Sequence, residues 1–367
     1  MKKSTLKSGI TTILCALLLF PTLYLNVSAT ASPTLSAQSA VLYQPDTNTF
    51  ALEKAADTVL PMASTTKIMT ALAAIRLLSA KDVVSVPKEA AGIEGSSAYL
   101  TAGERLTVED LLYALLLQSA NDAAVSLAIL ASGSVADFVA EMNQLAAQMG
   151  LDHTHFQNPH GLPAENHYTT ARELALLTVA AMKEPLFKEI VSTRVYSTSS
   201  SERKLVFSNH NKLLRFSEDA IGVKTGFTKS SGRCLVGAAE RDGVLLISVT
   251  LNAPSDWQDH QKMWEYGFSL FEHREIVSAK EYSKNILIFG GTKPFVTVEN
   301  KEGLSAVVPK NTATRLIAQV LPYPPLPILH DTVLGTLAVY ANGKLIGVLP
   351  LYATEAMTPL TKRKLFH

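Results

Sequence analysis

Cysteine is almost absent. Of two in 367 residues, Cys15 lies in an apolar N-terminal run and only Cys234 lies beyond it. No intramolecular disulfide can form once that run is removed, so stability must come from a core. The length suffices for a large core and suggests two domains. A surplus of one charge sign is also missing: Lys and Arg number 33, Asp and Glu 32. That speaks against nucleic acid as a partner, which asks for a basic face. Long apolar runs are confined to the N-terminus, where residues 10–25 are mostly apolar but broken at Pro21, short for a membrane span. Lys2, Lys3 and Lys7 precede the run and Ala29-Thr30-Ala31 comes after it. Together they read as a secretory signal over residues 1–31, which places the mature protein outside the cytoplasm. Cys15 does not mark a lipoprotein, because Leu14 before it is not small. Metal-ligand spacing is lacking too. His153, His155 and His160 lie in one loop without a fourth ligand at a fitting distance, so neither a metal nor a cofactor is expected.

What the chain does have is Pro61-Met62-Ala63-Ser64-Thr65-Thr66-Lys67-Ile68-Met69-Thr70. Ile68, Leu72 and Ile75 recur at helical spacing among the helix formers Ala71, Ala73 and Ala74. The stretch therefore predicts a loop that delivers Ser64 onto the first turn of a helix. Residues three apart share a face one turn apart, which brings the Lys67 amine within reach of the Ser64 hydroxyl. Serine is a weak nucleophile until a base takes its proton. Lysine can be that base only when neutral, which needs burial or a second cation nearby. Ser-x-x-Lys alone is a weak signal. It occurs four times, at Ser4/Lys7, Ser64/Lys67, Ser85/Lys88 and Ser201/Lys204, and its plain reading is a helix cap beside a solvated lysine. Ser64 is set apart by its helix and by its partners downstream in the chain.

Residues 40–43 and 49–52 read as a strand pair across a turn. Thr107 and Asp110 resemble a capping box, opening a helix from Val108 to about Leu117 that is apolar nearly all round and so buried. A second apolar helix covers Ala123 to Leu130, which puts Ser119 and Asn121 at a junction between buried helices. The plain alternative is that Asn121 or Asp122 caps the second helix. Ser134 and Asp137 open a helix with the core stripe Phe138, Met142, Leu145 and Met149, stopped at Gly150. Thr170 and Glu173 open another, through about Met182. Residues 191–207 look like strands around a polar turn. Ile221 to Phe227 carries Lys224-Thr225-Gly226, a triplet that occurs once where composition predicts roughly 0.1 by chance. Strands at 234–239 and 244–251 form a hairpin through Arg241-Asp242-Gly243, and a closing helix runs from Ser255 to about His273. Short alternating strands at 295–298, 306–308, 334–340 and 345–351 then suggest a small β domain over 276–357. The expectation is an α+β catalytic domain, residues 32–275, an all-β domain, and a basic tail, residues 358–367.

Ser64-x-x-Lys67, Ser119-x-Asn121 and Lys224-Thr225-Gly226 appear in that order on helix, junction and strand, the trio of penicillin-binding proteins and class A β-lactamases. The chain closely resembles the low-molecular-weight penicillin-binding proteins, the serine D-alanyl-D-alanine carboxypeptidases (peptidase S11-like). The resemblance extends through residues 117–123, Asn158-Pro159-His160-Gly161-Leu162, residues 170–175 and Gly222-Val223. It implies a transpeptidase-like antiparallel sheet with a helical subdomain. It also implies removal of the terminal D-alanine from peptidoglycan stem pentapeptides through an acyl-Ser64, with β-lactams as inhibitors. Lys67 would be the base and Ser119 a proton relay. Asn121 would hold the substrate amide, Lys224 and Thr225 the terminal carboxylate, with Gly226 letting the ligand approach. The N–H groups of Ser64 and Phe227 would form the oxyanion hole. Two departures stand out: Phe227 replaces a histidine found in some members, and the tail Thr358 to His367 is short for an interfacial helix. Peripheral membrane contact is all that it leaves open. The rival readings are a DD-endopeptidase, a β-lactamase and a non-catalytic penicillin-binding sensor. The second would need a glutamate to activate water; Glu165 is the candidate, without the asparagine expected four residues on.

Overall fold

A computed structural model describes residues 31–198 and 203–360. The secretory signal up to residue 30, the tail from residue 361 and the Ser4 and Ser201 motifs lie outside the described residues. From β1 (Ser39–Gln44) the chain turns into β2 (Thr49–Lys54) and passes through a 3-10 turn (Ala63–Thr66) into α1 (Lys67–Leu77). A ribbon of β3 (Val83–Ser85) and β4 (Arg105–Thr107) leads to α2 (Val108–Leu117), α3 (Asn121–Ser132), α4 (Val135–Gln148), α5 (Ala171–Met182) and α6 (Pro185–Ser192). A second ribbon, β5 (Val195–Ser197) with β6 (Val206–Ser208), and the short α7 (Leu213–Phe216) return to β7 (Ala220–Thr228), β8 (Gly232–Arg241) and β9 (Val244–Leu251), closed by α8 (Asp256–Leu270).

The five long strands form one antiparallel sheet in the order β2-β1-β9-β8-β7. Side chains alternate across a strand, and β8 shows the consequence. Val236 and Ala238 enter the core shared with α1 to α6, whereas Leu235 and Ala239 enter the core under α8 with Leu246, Trp264 and Phe268. The sheet is therefore covered on both faces, with β2 at one edge and β7 at the other. That edge is where the site is built.

Capping sets the helix starts as the spacing suggests. Thr107 and Asp110 make the reciprocal box, and Thr170 Oγ1 accepts from the Glu173 N–H. Two elements differ from the sequence reading. Val191 belongs to α6, whose Pro185 needs no donor in the first turn and whose Phe187, Ile190 and Val191 are buried. The closing helix stops at Leu270, and Phe271 to His273 already pair in β10 (Phe271–Val277).

Beyond β10 come β11 (Ser283–Leu287), β12 (Phe295–Asn300), β13 (Leu304–Pro309), β14 (Thr314–Val320), β15 (Val333–Ala341) and β16 (Lys344–Ala353). β10 pairs with β13, and the others form a sheet in the order β11-β12-β16-β15-β14 around Val296, Val298, Leu337, Val339 and Leu351. The strands that sequence patterning passed over, β11 and β14, are its two edges. β11 buries one residue, Ile286, so it carries almost no alternation to detect.

Candidate active site

Ser64 lies on the 3-10 turn immediately before α1, not within the α-helix itself. Its neighbours tie the turn down: Thr65 Oγ1 donates to Met62 O at 2.6 Å and Thr66 Oγ1 to Ala63 O at 2.8 Å. Two glycines let other segments press against it. A Cβ on Gly161, where φ is +89°, would stand 2.0 Å from Ala63 O, and one on Gly226 would stand 3.1 Å from Ser64 N. The turn is thus clamped between the 158–162 loop and the edge strand β7.

One turn on, Lys67 is fully buried. Its Nζ lies 3.0 Å from Ser64 Oγ and donates to Asn121 Oδ1 at 2.7 Å and to the His160 carbonyl at 2.6 Å. Burial, and then the charge of Lys224, hold its pKa well below the ordinary lysine value, against a weaker opposing pull from Asp122. A neutral amine has two N–H donors and one lone pair. Both carbonyl acceptors can only accept, so they take the two donors and leave the lone pair facing the Ser64 hydroxyl. That is the arrangement a general base requires.

Asn121 is the first residue of α3, and the cap position is Ala120, without a side-chain bond. The capping alternative therefore does not apply. Its carboxamide bridges Lys67 and, through Nδ2, the Glu94 carbonyl at 2.6 Å. Next to it, Asp122 accepts from Ser97 Oγ at 2.6 Å and from the N–H groups of Ala98 and Leu100 at 3.1 and 3.0 Å. The 94–100 loop is bolted to the helix junction by these two residues. Ser119 sits between the helices at φ +61°, a left-handed conformation that costs a non-glycine residue about 1–2 kcal/mol.

Lys224 is also buried, its Nζ donates to Thr225 O at 2.9 Å, and burial pulls its pKa down to about 7. Ser64, Ser119, Thr225, Gly226 and Phe227 line one cleft of about 350 Å³. The three sequence motifs therefore converge at the edge of β7. Sequence reasoning missed what steadies them: the His160 carbonyl, and His167, whose Nδ1 accepts from Gln157 N, leaving Nε2 to donate to Thr66 Oγ1 at 2.7 Å. Burial depresses both histidines to a pKa of about 4. The three histidines of the loop diverge, since His153 bonds Glu173 and His155 bonds the Asn166 carbonyl. A larger cavity of about 740 Å³ beside the β1–β2 turn, lined by His273, Val307 and Lys344, carries no nucleophile-base pair.

A sequence model described as D-alanyl-D-alanine carboxypeptidase matches residues 26–255, and one described as the C-terminal domain of penicillin-binding protein 5 matches residues 271–359. The chain is 30% identical over 333 residues to the D-alanyl-D-alanine carboxypeptidase DacF of Bacillus subtilis, covering 88% of this chain and 86% of that one. It is 31% identical over 371 residues to DacC of Escherichia coli, covering 96% and 92%. The solved structure of the D-alanyl-D-alanine carboxypeptidase DacD from Francisella tularensis is similar at a TM-score of 0.65 and 25% identity, over 90% of this chain and 95% of that one. The chain belongs to the D-alanyl-D-alanine carboxypeptidase family.

Proposed function

We propose that this carboxypeptidase removes the terminal D-alanine from peptidoglycan stem pentapeptides through an acyl-enzyme on Ser64. The observation that carries the reading is the buried Lys67 amine, 3.0 Å from Ser64 Oγ with two carbonyls occupying its N–H groups. The substrate lies extended along the free edge of β7, where unpaired backbone groups can continue the ladder. Ser64 Oγ bonds to the carbonyl carbon of the penultimate residue as its proton passes to Lys67 Nζ. The resulting oxyanion points to the N–H groups of Ser64 and Phe227; losing one such donor typically costs about 100- to 1000-fold in rate. Ser119 conducts the proton to the departing amine as the C–N bond breaks. Water then cleaves the Ser64 ester and releases the shortened peptide. Lys224 and Thr225 meet the terminal carboxylate, and Asn121 holds both the substrate amide and Lys67. β-Lactams imitate the D-alanyl-D-alanine end and leave a slow acyl-Ser64.

The substrate is extracytoplasmic, which agrees with a signal over residues 1–31 and with export to the cell wall or the outer face of the membrane. Domain limits at residues 275 and 357 leave the β module free to act as a spacer or dock, with Lys362, Arg363 and Lys364 favouring peripheral contact with an anionic surface. The deciding experiment is D-alanine release from a stem pentapeptide by the mature protein beside Ser64→Ala. Release that vanishes in the variant supports the reading. No release by folded wild type would overturn it and make the cross-linked peptide the next substrate.

A further inference from the structure

Glu165 has no task in these steps. It lines a second cavity, of about 340 Å³, together with Met62, Leu162, Pro163, Thr228 and Ser230. Ser64 is absent from that lining, so the carboxylate is not placed to activate water against an acyl-Ser64. Glu165 lies in a turn closed by the His167 N–H on the Ala164 carbonyl at 3.3 Å, and it is exposed. Among the described residues its carboxylate accepts no hydrogen bond and joins no ion pair. No lysine or arginine lines the cavity, not even Lys229 between Thr228 and Ser230. His167 does line it, but burial holds its pKa at about 4, and its ring nitrogens are committed to the Gln157 N–H and Thr66 Oγ1. The cavity thus has an apolar wall, two hydroxyls and one unbalanced negative charge at its rim.

The direction of the peptide follows from the contacts assigned above. Its terminal carboxylate meets Lys224 and Thr225, and its reacting carbonyl meets the Phe227 N–H. The chain before the reacting residue therefore runs on toward Thr228, advancing about 3.4 Å per residue. Thr225, Gly226 and Phe227 line the Ser64 cleft, and Thr228 lines the second cavity. The side chain of the preceding residue, the third of the stem, arrives at the mouth of that cavity. An apolar wall that ends in a carboxylate matches one kind of side chain. It is a long aliphatic stem with a terminal ammonium, which buries its methylenes and keeps its charge at the rim. We propose that this cavity is the subsite for the third stem residue and that Glu165 pairs there with the free side-chain ammonium of a diamino acid. Acylating that amine, as a cross-link does, removes the charge and adds bulk. The subsite therefore directs trimming to stems not yet joined through that amine.

This rests on the carboxypeptidase reading, and the test separates the two. D-Alanine release is measured from a stem pentapeptide with lysine as its third residue and from the same peptide acetylated on that side-chain amine. Wild type should prefer the free amine about fivefold in kcat/KM, mainly through KM, near the upper end for an ion pair open to water. Glu165→Gln should abolish the preference by slowing the free-amine peptide alone. Glu165→Lys sets two ammonium groups against each other and should reverse it. Added salt should narrow the wild-type preference and leave the glutamine variant unchanged. A preference that persists in both variants, equal losses on the two peptides, or a wild type indifferent to acetylation overturns the proposal. A second arm needs no peptide hydrolysis. It compares acylation of Ser64 by a penicillin whose side chain ends in an ammonium and by its N-acetyl form. If wild type released no D-alanine from either peptide, yet favoured the ammonium penicillin and lost that preference in Glu165→Gln, the carboxypeptidase reading would fall and the subsite stand. If D-alanine were released and neither arm distinguished the amine, the reading would stand and the subsite fall.

Discussion

Lys67 and His160 are joined through a backbone carbonyl: the amine donates to the His160 oxygen at 2.6 Å. A carbonyl cannot titrate and has no proton to give, so together with Asn121 Oδ1 it takes up the two N–H groups and directs the lone pair toward Ser64 whenever the amine is neutral. Removing the amine leaves Ser64 without a base. Lys67→Ala should lower the rate of acylation by a labelled penicillin by about 100- to 10,000-fold, the usual worth of a general base. The fold should persist by circular dichroism. Rapid labelling of the folded variant would refute the base assignment.

Asn121 can be changed to a residue of nearly the same size, at the cost of its Nδ2 bond to the Glu94 carbonyl. Asn121→Asp puts a carboxylate where a neutral oxygen now lies 2.7 Å from Lys67 Nζ. An opposite charge at that range favours the ammonium form. The Lys67 pKa should rise, so less neutral base is present at pH 7 and acylation slows. The acidic limb of the rate profile should move to higher pH by one unit or more, and raising the pH should recover much of the rate. A rate loss independent of pH would mean that Asn121 serves substrate binding alone.

How much of the fold and site was legible in the sequence depended on where the information resides. The α2 limits came from a capping box and an unbroken apolar run, both local. The motifs around Ser64, Ser119 and Lys224 were legible as side-chain chemistry. The His160 carbonyl was not, because every residue owns one and only the fold aims it. His167 was missed for a similar reason: its partners, Thr66 Oγ1 and the Gln157 N–H, are brought to it by the fold. At α6 the apolar pattern was too short to outweigh the neighbouring β-formers. At β11 and β14, edge strands half open to solvent, alternation was nearly absent.

Burial of neutral histidines makes the folded state sensitive to acid. His160 and His167 are held at about 4 and His260 at about 3, each mainly by burial, against an ordinary 6.5. Between pH 6.5 and 4 the unfolded chain binds protons that the folded protein refuses, so stability falls as the pH falls. Each unit of depression is worth about 1.4 kcal/mol per group, so the three groups together should cost on the order of 10 kcal/mol over that window. Urea unfolding at pH 7 and pH 5 measures it. His260→Gln, behind the sheet and remote from Ser64, should lower stability at pH 7 through its lost bonds to Ser248 and Thr250. It should also flatten the pH slope. An unchanged slope would mean that carboxylates dominate the acid response.

Gly161 offers the sharpest steric test of the clamp on the nucleophile. Its φ of +89° disfavours any other residue, and a Cβ there would meet Ala63 O at 2.0 Å and Ser64 N at 2.9 Å. The contact is with backbone on both sides, so no side chain can swing away; the loop or the Ser64 turn must move. Left-handed strain alone costs about 1–2 kcal/mol, and displacing packed backbone adds to it. Gly161→Ala should therefore destabilise the protein by at least about 2 kcal/mol and cut acylation about 100-fold or more, since a shift near 1 Å at a reacting group costs that much. Gly92→Ala is the control. Its φ is +81°, but its Cβ would meet nothing within 4 Å, so it carries the strain without the collision. Acylation at the wild-type rate in Gly161→Ala would show that the turn can yield without misplacing Ser64, and the clamp would then have no part in catalysis.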